Sequence, residues 1–319
     1  MPDSSLPAPV SPRSATPRSA SPPTTPPRPR QDEQLGIFGE PRRLFVCTPS
    51  KLSAYTDCPR RYRFSYVDRP RPVKGPPWAH NSLGASVHNA LRSWFDLPPG
   101  RRIPEAAATL LKAGWITDGY RDAAQQRLAF RTALDWLESY VARLDPAAEP
   151  VGVERTVATT TATLSVQGRA DRIDERVGPD GRPEVVVVDY KTGRTGLDAD
   201  DARGSQALAL YAVAASRTFR KPCRRVELHH LPTATIAAHE HTVESLERQV
   251  RRAEQTAADI VAAERSVAGG DDPDQVFPPS PGSLCGWCDY RRHCPEGSAT
   301  PGQEPWAAVE RALTGPGSG

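Results

Sequence analysis

The sequence has no apolar run long enough to cross a bilayer: the longest, Ala207 to Ala215 around Tyr211, is under half of what a membrane-spanning helix needs. No apolar segment follows a basic start either, so the expectation is a cytoplasmic protein with no secretory leader and no membrane partner. A strong charge of one sign is also missing. Lys plus Arg number 41 against 38 Asp plus Glu, a formal +3, so any nucleic-acid contact has to come from local patches. Lysine is scarce beside arginine, and with the abundant Ala and Pro this reads as genomic base composition rather than adaptation to a ligand. There is no G-x-x-x-x-G-K-[ST] stretch, which excludes a recognisable ATPase motor, and no internal repeat. Without a leader, the 6 cysteines point away from a disulfide framework and towards metal ligation or buried thiols.

What is present suffices for a globular core, since 38% of residues are apolar and most of the 34 prolines gather at the N-terminus and in loops. Residues 1–34 are Pro, Ser, Thr and Arg with almost no aliphatic side chains, which predicts a disordered, mildly basic arm. The Gly- and Pro-rich residues 297–319 predict a flexible tail. Between them, ordered structure is expected over 44–296. Thr48-Pro49 caps a first helix through Leu52 and Tyr55, ending at Cys58. Leu83, Val87, Ala90, Leu91 and Trp94 share helical spacing in a second, with two more over 104–118 and 120–144. β-branched residues then alternate from Val151 to Thr163 and again over 164–177, with Pro179-Asp180-Gly181 as a turn. The valines of 184–189 read as a strand buried on both faces. A helix over 203–218, strands over 224–231 and 235–241, and a polar helix over 243–266 complete a mixed α/β fold with an N-terminal helical insertion.

Val185-Val186-Val187-Val188-Asp189-Tyr190-Lys191-Thr192-Gly193 is the most informative segment. Period-two geometry puts Asp189 and Lys191 on one side of the strand end and Tyr190 on the other. If the preceding arm, Gly168-Arg169-Ala170-Asp171-Arg172-Ile173-Asp174, pairs with this strand, Asp171 comes beside Asp189. Two crowded carboxylates repel unless a cation sits between them, and oxygen ligands suit Mg2+ or Mn2+. His88, four residues after Gly84, projects from nearly the same helix face.

GASVHNAL (84–91), GRADRID (168–174), VVDYKTG (187–193) and QALALYA (206–212), in that order, resemble the successive motifs of the RecB-type exonuclease branch of the PD-(D/E)XK nuclease superfamily. The resemblance covers roughly residues 44–296 and implies a restriction-endonuclease-like core with a mixed central sheet. It implies that His88, Asp171 and Asp189 ligate the metal with the Tyr190 carbonyl, and that Lys191 orients or activates the attacking water. Gln206 and Tyr211 would help hold substrate and active site. Glu154 matches an acidic position one strand earlier, although a strand glutamate near Arg155 also reads as a surface pair.

Cys285, Cys288 and Cys294 form C-x2-C-x5-C in a Pro- and Gly-rich loop, and Cys58 is the natural fourth donor. This one-plus-three distribution resembles four-cysteine nucleases of the same kind, which implies a [4Fe-4S] cluster; zinc is the alternative four thiolates also allow. Cys47 and Cys223 read as plain buried thiols. Around Cys58, Arg60, Arg61 and Arg63 alternate with Tyr62, Phe64 and Tyr66. That pattern fits a surface for single-stranded DNA or an amphipathic element whose arginines meet water.

The resemblance as a whole implies a Mg2+- or Mn2+-dependent deoxyribonuclease acting on DNA ends or single strands in repair or recombination, with any unwinding left to a separate helicase. Two other readings stay open: an iron-sulfur DNA-binding or adaptor module that keeps the fold without cleaving, and a zinc-stabilised hydrolase of another substrate.

Overall fold

A computed structural model of the chain describes residues 33–35, 41–193 and 196–314, with side chains from Leu44 onward. The arm expected over 1–34 falls almost wholly outside the described residues. Strands β1 (Glu33–Leu35) and β2 (Pro41–Arg43) pair antiparallel as a unit of their own, and the chain from Leu44 forms a second.

The second unit begins with β3 (Phe45–Cys47) and α1 (Pro49–Asp57), where Thr48 caps the helix by accepting the Lys51 N–H and Pro49 takes the first helical position. The short α2 (Pro59–Tyr62) runs into a π-turn over Arg63–Val67. The helical insertion is α3 (Ala79–Phe95), α4 (Pro104–Ala113) and α5 (Ala123–Val141). Both α4 and α5 are shorter than periodicity predicts: Gly114 ends the first, Asp122 caps the second by accepting the Gln125 N–H, and Gly119 between them takes φ +85°. A Cβ at Gly119 would lie 2.5 Å from the Ala79 N and the Pro77 O, so only glycine fits there.

Strands β4 (Gly152–Thr160), β5 (Leu164–Val177) and β6 (Pro183–Lys191) form a meander. The expected single helix over 203–218 is divided into α6 (Ala199–Gly204) and α7 (Gln206–Phe219), because Ser205 is extended and caps α7 by accepting the Leu208 N–H. Next come β7 (Arg225–His230), β8 (Thr235–Glu240) and α8 (Val243–Ala268). The chain closes with α9 (Pro273–Val276), α10 (Pro295–Ala299) and α11 (Ala307–Leu313). Composition predicts a loose tail beyond residue 296, yet α11 docks, with Val309 in the core beside α3 and α5. Residues 315–319 of that tail lie outside the described residues.

The mixed sheet runs β3-β5-β6-β7-β8, with β4 also on β5. β4 covers one edge of β5 from Ser165 to Ile173. Strands β3 and β6 share the other edge, β3 parallel at Leu164–Val166 and β6 antiparallel at Arg172–Val177. Among the described residues, 167–171 therefore have no strand partner on that edge, and the sheet is open there. The valine strand is buried on both faces, as its composition requires. Val185 and Val187 pack with α7, while Val186, Val188 and Tyr190 pack with α3, α4 and α5. A third cluster joins β3, α1 and Tyr62 to Phe277 and the apolar stripe of α8. No helix among the described residues is long and apolar enough to cross a membrane.

Candidate active site

The open stretch of β5 and the end of β6 face one another. Asp171 stands one register step beyond the last paired residues, Arg172 and Val188, and so opposite Asp189. The ladder stops there: Asp171 Oδ2 accepts the Tyr190 backbone N–H at 2.8 Å. The Tyr190 ring is buried, with its hydroxyl accepting from Arg172 at 3.2 Å, while Asp189 and Lys191 emerge on the other side. Lys191 Nζ lies 2.6 Å from Asp189 Oδ2. That oxygen is enclosed and receives no well-directed hydrogen bond, so the contact is an ion pair without a proper donor geometry.

His88 reaches the same point from α3, its Nδ1 3.4 Å from Asp171 Oδ1 and its ring edge-on to Tyr190. Gly84, one turn earlier, lets α3 approach closely, since a Cβ there would lie 3.2 Å from Thr192 Oγ1. Glu154 comes from β4, between the pairs Val153–Arg172 and Arg155–Ala170, and so opposite Asp171. Its backbone is left-handed, φ +46°, which for a non-glycine residue costs roughly 1–2 kcal/mol. Glu154 does not pair with Arg155: its Oε2 lies 2.6 Å from Arg169 Nε with its side chain largely enclosed, and the carboxylate joins His88 and Asp171 in a trio whose ligand atoms all lie within 4.8 Å of one another.

The electrostatics show an excess of negative charge. Burial pushes the Asp189 carboxyl above its ordinary range; Lys191 opposes this and Asp171 adds to it. Burial and then Asp171 likewise raise Glu154. For His88, burial alone would lower the imidazole pKa, but Asp171, Asp189 and Glu154 outweigh it and the net shift is upward. Raised pKa values on two carboxyls and on the imidazole are shifts that a divalent cation would oppose. Carboxylate oxygens and one imidazole, with an enclosed Asp189 oxygen lacking a directed donor, fit a hard cation such as Mg2+ or Mn2+.

These groups line a cleft of about 1300 Å3, larger than the roughly 300–1,000 Å3 of small-molecule pockets. Tyr211 of α7 lines it too, lying over Gly168, where a Cβ would come 2.2 Å from the Tyr211 ring. Burial, then Asp189 and Asp171, raise the pKa of its hydroxyl. Gln206 is not among the lining residues; its Nε2 is enclosed without a hydrogen-bond partner. Arg169, Thr192, Asn81 and Asn89 also border the cleft, as does Arg311. Arg169 sits in the GRADRID motif and could have been suspected. Arg311 gave no signal, because its segment reads as loose.

Cys58, at the α1–α2 junction, and Cys285, Cys288 and Cys294 border a second cavity of about 280 Å3. All four are partly exposed thiols, and Ser280 N–H points at Cys58 Sγ from 3.4 Å. Among the described residues, no three of these thiols lie within 4.8 Å of one another. Cys47 and Cys223 are buried, and burial pushes their thiols up to about 11 and about 12. The alternating segment after Cys58 fits neither reading in full. Tyr62 and Phe64 are buried, but so are Arg60 and Arg63. Arg60 pairs with Glu296 at 3.0 Å and Arg63 with Asp274 at 2.9 Å, while Arg61, half-buried, pairs with Asp57 at 3.4 Å.

A family profile described as the PD-(D/E)XK nuclease superfamily matches residues 46–295. No curated protein matches the chain. Among solved structures, a Eubacterium rectale protein named "Putative exonuclease" is similar at 13% identity and a TM-score of 0.45, over 78% of this chain and 87% of that one.

Proposed function

Because the chain belongs to the PD-(D/E)XK nuclease superfamily, we propose that it is a RecB-like, Mg2+- or Mn2+-dependent deoxyribonuclease that hydrolyses phosphodiester bonds at DNA ends or in single strands. The observation that carries the reading is the convergence of His88, Glu154, Asp171, Asp189 and Lys191 on one cleft. Repair or recombination in the cytoplasm, with a separate helicase where unwinding is needed, is the setting this substrate implies.

His88, Glu154, Asp171 and Asp189 would hold the cation, with the Tyr190 carbonyl as a further donor. When bound, the cation supplies Lewis-acid polarisation of a phosphoryl oxygen and neutralises charge there. Lys191, fixed by Asp189, directs the attacking water at phosphorus and offsets the charge that builds on the phosphate. Tyr211 offers a hydroxyl at the cleft lining to hold a phosphate oxygen. Gln206 would act from outside the cleft lining, at the first position of α7, where its enclosed Nε2 has no hydrogen-bond partner. Arg172 acts from beneath, bonding the Tyr190 and Tyr140 hydroxyls and so fixing the strand end.

The four-cysteine cavity is read as the seat of a [4Fe-4S] cluster. What supports the reading is that all four thiols border this one cavity; zinc is the alternative that four thiolates also allow. A cluster would tie the α1–α2 junction to the C-terminal segment. Anaerobic purification with iron and sulfide analysis, followed by digestion of single-stranded and duplex DNA with and without Mn2+, tests both parts. Iron, sulfide and Mn2+-dependent digestion that Asp189→Ala abolishes are expected. Zinc at the cysteines would remove the cluster alone, and digestion indifferent to Mn2+ or to Asp189 would remove the nuclease.

A further inference from the structure

The cleft has one wall that the motifs do not supply. Beyond residue 295, where the family match ends, the chain crosses back over the helical insertion. Gln303 N–H bonds the Gly286 carbonyl at 2.9 Å, and the Pro305 carbonyl accepts the Ala79 N–H at 3.0 Å. Glu310 pairs with Arg121 at 2.9 Å and accepts from Gln125, while Val309 enters the core. So fastened, α11 presents Ala308, Arg311 and Ala312 to the cleft.

Among the described residues, three lysine and arginine side chains border that cleft, and two are engaged: Lys191 with Asp189, and Arg169 with Glu154. Arg311 forms no ion pair among the described residues. It is nevertheless held in place. Its guanidinium lies 4.9 Å over the Trp287 ring and donates to Gln303 Oε1 at 3.2 Å. Trp287 is itself packed against Trp78 at 5.3 Å and sits between Cys285 and Cys288. An exposed arginine with an ordered stem and no anionic partner has its remaining donors free for a phosphate.

We propose that Arg311 is a phosphate-binding residue for the DNA strand, seated by Trp287 and gripping the backbone away from the metal-site carboxylates. The proposal rests on the nuclease reading and names a contact that reading does not include. It makes Trp287 the link between the cysteine cavity and the substrate cleft.

The test is binding of a fluorescent single-stranded oligonucleotide, followed by anisotropy over a salt series with Mn2+ present. The Lys191→Ala background lets the strand survive the measurement. Adding Arg311→Ala should weaken binding about 5- to 20-fold at low salt and flatten the plot of log K against log salt by roughly 0.7, the loss of one phosphate contact. Adding Arg311→Lys should keep the slope. An unchanged slope with Arg311→Ala, with or without a lower melting temperature, overturns the proposal and shows a structural arginine. In that case Mn2+-dependent cleavage by the wild type leaves the nuclease reading intact; a wild type that neither cuts nor binds the strand removes both.

Discussion

Asp189 is a residue whose charge the fold carries at a cost. Its carboxyl is enclosed, raised in pKa by burial and crowded by Asp171, and Lys191 compensates only in part. A folded pKa above the unfolded value means that this group's contribution is full below about pH 3.8 and declines as pH rises through the folded pKa. In metal-free protein Asp189→Asn should therefore leave the melting temperature equal or raise it by a few degrees, at about 2–4 °C per kcal/mol, while activity falls at least about 100-fold. Calorimetry of the two proteins beside a digestion assay checks the pair of outcomes. Much of this site is legible in the sequence, because strand alternation alone puts Asp189 and Lys191 on one side and the hairpin brings Asp171 across. Glu154 is less legible, since its placement depends on a left-handed φ that no spacing rule announces. Tyr211 lines the cleft and Gln206 does not, since five residues span roughly 500° of helix and the two point about 140° apart.

Among the elements, β5 sets the site by running past the end of two different neighbours. Within the stretch between the β3 and β6 pairings, Tyr211 from α7 packs on the face of β5, and Gly168 makes room for its ring. Gly168→Ala puts a methyl into that ring and should destabilise by roughly 1–3 kcal/mol, with activity falling as Tyr211 is displaced; a denaturant midpoint and an assay measure both. The strands are visible in the sequence as alternation, but which edge each occupies is not, because β3 contributes only three residues and pairs with a strand over a hundred positions away. At the β8–α8 junction, His241 is buried with His239 4.5 Å away, and burial, then His239, lower its pKa to about 4. The unfolded histidine titrates near 6.5, so stability is retained above that value and lost as pH falls from about 6.5 towards 4. His241→Asn should flatten the melting-temperature profile across that window; an unchanged slope would assign the loss to other groups.

Over the whole molecule, the cleft is enclosed by parts of the chain distant in sequence: α3, the sheet, α7 and the returning α11. Composition marks the last segment as loose because Gly and Pro dominate around it, and a single buried Val309 is too small a signal to overturn that. Val309→Asp should destabilise by about 2–4 kcal/mol through an unpaired buried carboxylate and loosen the cleft wall, read as a lower melting temperature and a higher KM for DNA. What the assembled walls enclose is a trio of ligands facing an enclosed aspartate, and that trio is where the account is decided. Titration of Mn2+ followed by electron paramagnetic resonance should find one tight site per wild-type chain, lost in Asp171→Asn and weakened in Glu154→Gln. Equal Mn2+ binding by Asp171→Asn, or none by the wild type, would contradict it.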